Sequence, residues 1–106
     1  MKLAICICER VTGKCSTMGC FKTYNNKEKY FSQYKDTNTE LIALFSCNIC
    51  STNSTGDIIT IAERLKNSEV HSIHLGACAV NCKADKLDEV KEIFTSIGIS
   101  VVEGTH

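Results

Sequence analysis

The sequence predicts an α/β fold built on an open, doubly wound, four-stranded parallel sheet. Two observations lead there. Four short apolar runs alternate with helical stretches of 12–15 residues, giving the order β-α-β-α-β-α-β. The runs are apolar at both parities, as in strands covered on both faces rather than on one. Right-handed crossovers between parallel strands then give the strand order 2-1-3-4, which is flavodoxin- or Rossmann-like. The length of 106 residues suits one core, and residues 1–106 read as a single domain without an internal repeat.

Each element has its own signal. Residues 2–8, Lys-Leu-Ala-Ile-Cys-Ile-Cys, form an apolar run rich in β-formers, the first strand. Residues 9–19 are polar, carry Gly13 and Gly19, and read as a loop. Residues 20–34 hold five of the seven aromatic residues, and Phe21, Tyr24, Phe31 and Tyr34 fall on one helical stripe, interrupted at Lys27 and Glu28. Such a stripe is most simply core. Residues 40–47 make a continuous apolar run of strand length, and residues 48–56 a Ser/Thr/Asn/Gly loop. In residues 57–68, Ile58, Ile61, Ala62 and Leu65 recur at i, i+3, i+4 and i+7, and Asp57 complements the helix dipole. Residues 70–78 are the third strand. Asp85 is the expected N-cap of a helix over 86–97, with Leu87, Val90, Phe94 and Ile97 on one side and Gly98 as its stop. Residues 99–103 are the fourth strand.

Composition narrows the function. Twelve basic residues balance twelve acidic ones, and neither sign forms a block, which argues against nucleic acid and a polybasic membrane anchor as partners. The apolar stretch Leu3–Cys8 spans six residues before Glu9 and Arg10 end it, too short for a secretory core or a membrane span. The chain therefore reads as cytoplasmic, where thiols stay reduced. Ten lysines against two arginines, with eleven isoleucines, suggest a bacterial source with an AT-rich genome.

The outlying number is eight cysteines, and their positions matter more than their count. Cys6 and Cys8 close the first strand. Cys15 and Cys20 lie in the loop that leaves it. Cys47 and Cys50 sit at and just past the end of the second strand. Cys78 closes the third, Cys82 follows in the next loop, and His106 lies just past the fourth. In a parallel sheet all carboxyl ends share one edge, the place where open α/β folds bind ligands. Thiolates there select zinc, copper(I) or an iron–sulfur cluster over hard cations. Cys47-Asn48-Ile49-Cys50 has the C-x-x-C spacing of a shared metal, and equally of a redox dithiol. Cys8, Cys15, Cys20, Cys47, Cys50, Cys78, Cys82 and His106 are the candidate metal residues. Cys6 fits a small buried residue as well as a ligand. His74 lies roughly 13 Å back from the edge at about 3.3 Å per residue, and reads as a packed or hydrogen-bonded histidine. His71 opens the strand and reads as solvent-facing.

With these residues in view, the chain resembles the CGGC domain family. The resemblance runs nearly end to end. It rests on Cys8, Cys15, Cys20-Phe21-Lys22, Phe31, Tyr34, Cys47-x-x-Cys50, Ile73-His74-Leu75 with Cys78, and Val101-Val102-Glu103-Gly104-Thr105-His106. It implies a small α/β protein that binds metal, zinc being the usual proposal, through Cys8, Cys15, Cys20, Cys47, Cys50, Cys78 and, more weakly, His74 and His106. The signature element reads Cys-Asn-Ile-Cys here, so its thiols are kept and its glycines are not. The family's usual Cys-Pro after the third strand is absent, with Cys82 as its replacement in a shorter loop. Cys6 falls where the family usually has no cysteine.

Three functions follow from the sequence. The first is a metal-binding protein holding zinc or an iron–sulfur cluster, with a redox or metal-trafficking protein as partner. The second is a thiol- or cluster-dependent oxidoreductase or electron-transfer protein using Cys47 and Cys50. The third, a flavodoxin-like nucleotide module using Thr12-Gly13, is weak because that loop lacks a run of small hydroxyl residues.

Overall fold

The computed structural model describes residues 1–47, 55–81 and 84–106. Four parallel strands, β1 (Lys2–Ile7), β2 (Glu40–Ser46), β3 (Val70–Leu75) and β4 (Ser100–Val102), form one sheet in the order β2-β1-β3-β4. This is the predicted architecture and order. The helices are α1 (Met18–Asn26), α2 (Gly56–Asn67), the one-turn α3 (Ala77–Val80) and α4 (Ala84–Ser96), with 3-10 helices at Glu9–Val11 and Lys29–Tyr34. Among the described residues no helix is long and apolar enough to cross a membrane.

The two-parity pattern of β1 has a direct physical outcome. Being central, β1 buries side chains on both faces. Leu3, Ile5 and Ile7 meet Cys20, Tyr24, Phe31 and Tyr34 on one side. Ala4 and Cys6, with Ile73 and Leu75 of β3, meet Ile58, Ala62 and Leu65 of α2 and Val90 and Phe94 of α4 on the other. The sheet thus separates an aromatic interior from an aliphatic, thiol-bearing one. The edge strand β2 is only half-buried along most of its length.

Three boundaries differ from the sequence expectation. The helix predicted over 20–34 is two pieces. Lys27 turns left-handed at φ 52° and Lys29 at φ 50°, and the chain re-enters as a 3-10 helix. The break lets Tyr24, Phe31 and Tyr34 all reach the core while Phe21 stays exposed, so the stripe is not a single α-helical face. The third strand ends at Leu75 rather than at 78. Gly76 donates to the Cys6 carbonyl at 2.8 Å, and its own carbonyl then accepts from Ala79 and Val80, which starts α3. Cys78 therefore sits on a helical turn after the strand. The last helix begins at Ala84, so Asp85 lies in its first turn rather than capping it, and the negative charge still meets the positive end of the dipole. Gly98, at φ +88°, stops that helix as predicted.

Candidate functional site

The parallel ladders deliver cysteines to one edge. Cys47, the residue after β2, donates its N–H to the Ile7 carbonyl at 3.2 Å, extending the β1–β2 ladder one step. Gly76 does the same for β3 against Cys6. Three neighbouring strands thereby bring Cys47, then Cys6 and Cys8, then Cys78 to their carboxyl ends. The described cysteines, Cys6, Cys8, Cys15, Cys20, Cys47 and Cys78, carry no disulfide.

Their contacts form four groups. The Cys8 N–H donates to Cys78 Sγ at 3.3 Å, and Arg10 Nε donates to Cys8 Sγ at 3.1 Å, which sets a fixed positive charge against a cysteine that is 1% exposed. Cys6 and Cys47 share a side-chain hydrogen bond. That bond, then burial, pushes the Cys6 thiol well above its ordinary value. Cys20 Sγ lies 3.4 Å from the Thr105 hydroxyl, and its pKa is raised by burial, with the hydroxyl acting in opposition. Cys15 is exposed and its sulfur accepts the Thr17 N–H at 3.4 Å. The exposed His106 lies over α1. A Cβ on Gly19 would meet its Nε2 at 3.4 Å, so glycine there leaves room for the ring.

Of the eight candidate metal residues, the structure brings Cys8 to Cys78, sets Cys47 beside Cys6, and puts Cys20 and His106 at the start of α1. Cys50 and Cys82 lie outside the described residues. Among the described residues no group of three or more His, Cys, Asp or Glu side chains is close enough to hold one metal ion. The donors fit a soft metal by their chemistry, and the described residues supply them as pairs.

His74 is fully buried, and its environment fixes its state. Its ring stacks on Phe31 at 4.3 Å between centroids. Nδ1 lies 2.9 Å from the Gly104 carbonyl, which can only accept, so Nδ1 carries the proton. Nε2 then accepts from the Tyr34 hydroxyl at 2.8 Å. Burial lowers the His74 pKa, against the opposing effect of the Gly104 bond, and keeps the ring neutral. The histidine clamps the segment after β4 to the aromatic side. The tail after β4 is built into the interior, because Thr105 is fully buried. Sequence reasoning missed Arg10, Gly104 and Thr105 as neighbours of the thiols and of His74. Arg10 had one available signal, as one of two arginines and two residues from Cys8.

The CGGC domain profile matches residues 2–106. The chain belongs to the CGGC domain family. The match takes in all the described thiols and the His74 clamp of this CGGC domain. A relative from Methanocaldococcus jannaschii, itself named only as an uncharacterized protein, is 30% identical over 115 aligned positions that span all of this chain and 87% of the relative. No solved structure matches the CGGC chain.

Proposed function

We propose that this CGGC domain is a thiolate metal-binding protein, holding zinc or an iron–sulfur cluster at the carboxyl edge of its sheet. The observation that carries the reading is the delivery of Cys47, Cys8 and Cys78 to the ends of three adjacent strands, with Arg10 set against Cys8 and a backbone N–H set against Cys78. N–H donors and a nearby cation stabilise sulfur that carries negative charge, as a metal-bound thiolate does. Cys8, Cys78 and Cys47 are the proposed ligands at the centre, with Cys15, Cys20, Cys50, Cys82 and His106 completing the donor pool. Zinc bound there would order the edge. A cluster would also carry an electron.

The proposal extends to setting. One domain spans residues 1–106, works in the reducing cytoplasm of a bacterium, and meets a redox or metal-trafficking protein at the same edge. The spacing of Cys47 and Cys50 also supports a second reading, a thiol- or cluster-dependent oxidoreductase.

Metal analysis and an absorption spectrum of anaerobically prepared protein test the proposal. The expected result is at least one equivalent of zinc or iron, with visible colour for a cluster and none for zinc. Less than about a tenth of an equivalent of either would defeat it, since thiolate sites bind tightly enough to survive isolation.

A further inference from the structure

Helices α2 and α4 lie side by side on the aliphatic face of the sheet, and a groove runs along their seam. Two adjoining depressions of about 270 and 220 Å³, which share Ile93 and Ser96, make it up. Both helices follow the carboxyl ends of strands and run back along the sheet. One end of the groove therefore reaches Thr55 at the carboxyl edge, and the other reaches Ile97 at the amino edge. Ile59, Ile93 and Ile97 form its apolar floor, and Ile59 is 41% exposed. Glu63, on α2, and Glu89 and Glu92, on α4, line the same groove. Helical spacing puts acid and isoleucine on one stripe, since Ile59 and Glu63, and Glu89 and Ile93, are each four residues apart. The lysines of α4 are turned to other tasks. Lys91 is held by Asp88 at 3.9 Å and by Glu103 at 3.2 Å, and Lys86 lines a small cavity at Cys6 and Cys47.

We propose that this groove seats a short, basic, amphipathic helix of a partner protein. Charge selects the occupant. A second copy docking by the same face would set one trio of glutamates against another, because a two-fold interface meets itself. The same carboxylates repel nucleic acid and anionic lipid. A helix with apolar side chains at i, i+3, i+4 and i+7 lays that stripe on the three isoleucines. Lysine or arginine on its flanks then meets Glu63 on one wall and Glu89 and Glu92 on the other. Residues 89–97 advance about 12 Å at about 1.5 Å each, so roughly two turns of the partner fit. So small a contact belongs to transient encounters. Its Thr55 end brings the partner to the edge that carries the thiols. The groove gives a seat to the protein partner of the proposed function, and rests on that reading for the partner's existence alone.

The probe is a synthetic peptide of about 14 residues, roughly four helical turns, with leucine at that spacing and lysine on the flanks. Its control carries glutamate in place of lysine. Fluorescence anisotropy reads the affinity, amide NMR shifts locate the contact, and sedimentation reads the association state. The proteins are wild type, Ile59→Glu, the groove triple Glu63→Gln/Glu89→Gln/Glu92→Gln, and a control triple Glu28→Gln/Asp36→Asn/Glu40→Gln. The control triple makes the same charge change at exposed acids away from the groove. Wild type and the control triple should bind the lysine peptide in the micromolar range, with shifts confined to residues 55–63 and 89–97, and should ignore the glutamate peptide. The groove triple should bind roughly 3–100-fold more weakly, as expected for three exposed ion pairs. Ile59→Glu should cost about tenfold or more through lost apolar burial. Wild-type binding weaker than about 1 mM, an equal loss in the control triple, or shifts centred elsewhere would overturn the site. A concentration-dependent dimer abolished by Ile59→Glu would overturn the partner and give the groove to a second copy. Protein that lacks zinc and iron yet binds the peptide as expected would support the groove while defeating the metal centre.

Discussion

Replacing His74 by phenylalanine isolates the clamp between β3 and the segment after β4. Phenylalanine keeps a ring against Phe31, so the lost packing is small. Both polar contacts disappear. The Gly104 carbonyl loses the donor that it has at 2.9 Å, and an orphaned buried acceptor costs about 1–3 kcal/mol. The Tyr34 hydroxyl loses His74 but keeps Ser72, which holds its share to about 1 kcal/mol. The sum is about 2–4 kcal/mol, or a fall in Tm of roughly 8–32 °C at about 4–8 °C per kcal/mol for a domain near this size. Urea denaturation should show a lower midpoint with an unchanged slope. Adding Tyr34→Phe removes the other half of one broken pair and should recover about 1 kcal/mol. Metal content per folded protein should not change. A His74→Phe variant within about 0.5 kcal/mol of wild type would refute the reasoning, since so buried a pair of bonds cannot be dispensable. Loss of metal without loss of stability would instead make His74 a ligand.

Four further outcomes follow. The folded His74 binds its proton below the ordinary value of 6.5, so the unfolded chain holds more protons just below that pH. Stability should therefore be full above 6.5 and decline as pH falls through the folded value, and His74→Phe should flatten the decline in pH-dependent urea titrations. Gly104→Ala should destabilise by about 1–3 kcal/mol, because φ is +153° and a Cβ would enter the Tyr30 ring; adding Tyr30→Ala should relieve the clash but not the backbone cost, and full rescue in thermal melts would refute the strain. Serine at Cys8 or at Cys47 should each lower zinc or iron content, and intact stoichiometry in either would break the shared centre. His106→Ala should lower metal content with little change in stability, whereas removing Thr105 as well should unfold part of the aromatic side, because Thr105 is buried against Cys20.

The sheet was legible from parity. Apolar residues at every position of 3–8 demanded two covered faces, and the crossover rule then fixed the order. The failures share one cause, that backbone turns are set by tertiary contact. Nothing in Val70–Cys78 marks Gly76 as a strand end except the glycine itself. The reason lies 70 residues away, in the Cys6 carbonyl that captures its N–H. The helix break at Lys27 was visible as a polar gap, but its left-handed turn was not. At the site, strand ends located Cys6, Cys8 and Cys47 well. The pairing of Cys8 with Cys78 through a backbone N–H depends on α3, which no periodicity could reveal in four residues. The reading of His74 as a packed residue came from its distance behind the edge, and the structure adds the partners that set its tautomer.

The division of the interior by the sheet also decides what light can report. The chain has three tyrosines and no tryptophan. Tyr24 and Tyr34 lie in the aromatic interior, and Tyr30 packs at Gly104 beside it. Intrinsic ultraviolet emission therefore watches one half of the molecule, the half with the histidine clamp and Cys20. Cys6 and Cys47 lie in the other half, which is silent in that window. A tryptophan in place of Phe45, which packs against Phe94, would give that side its own lamp.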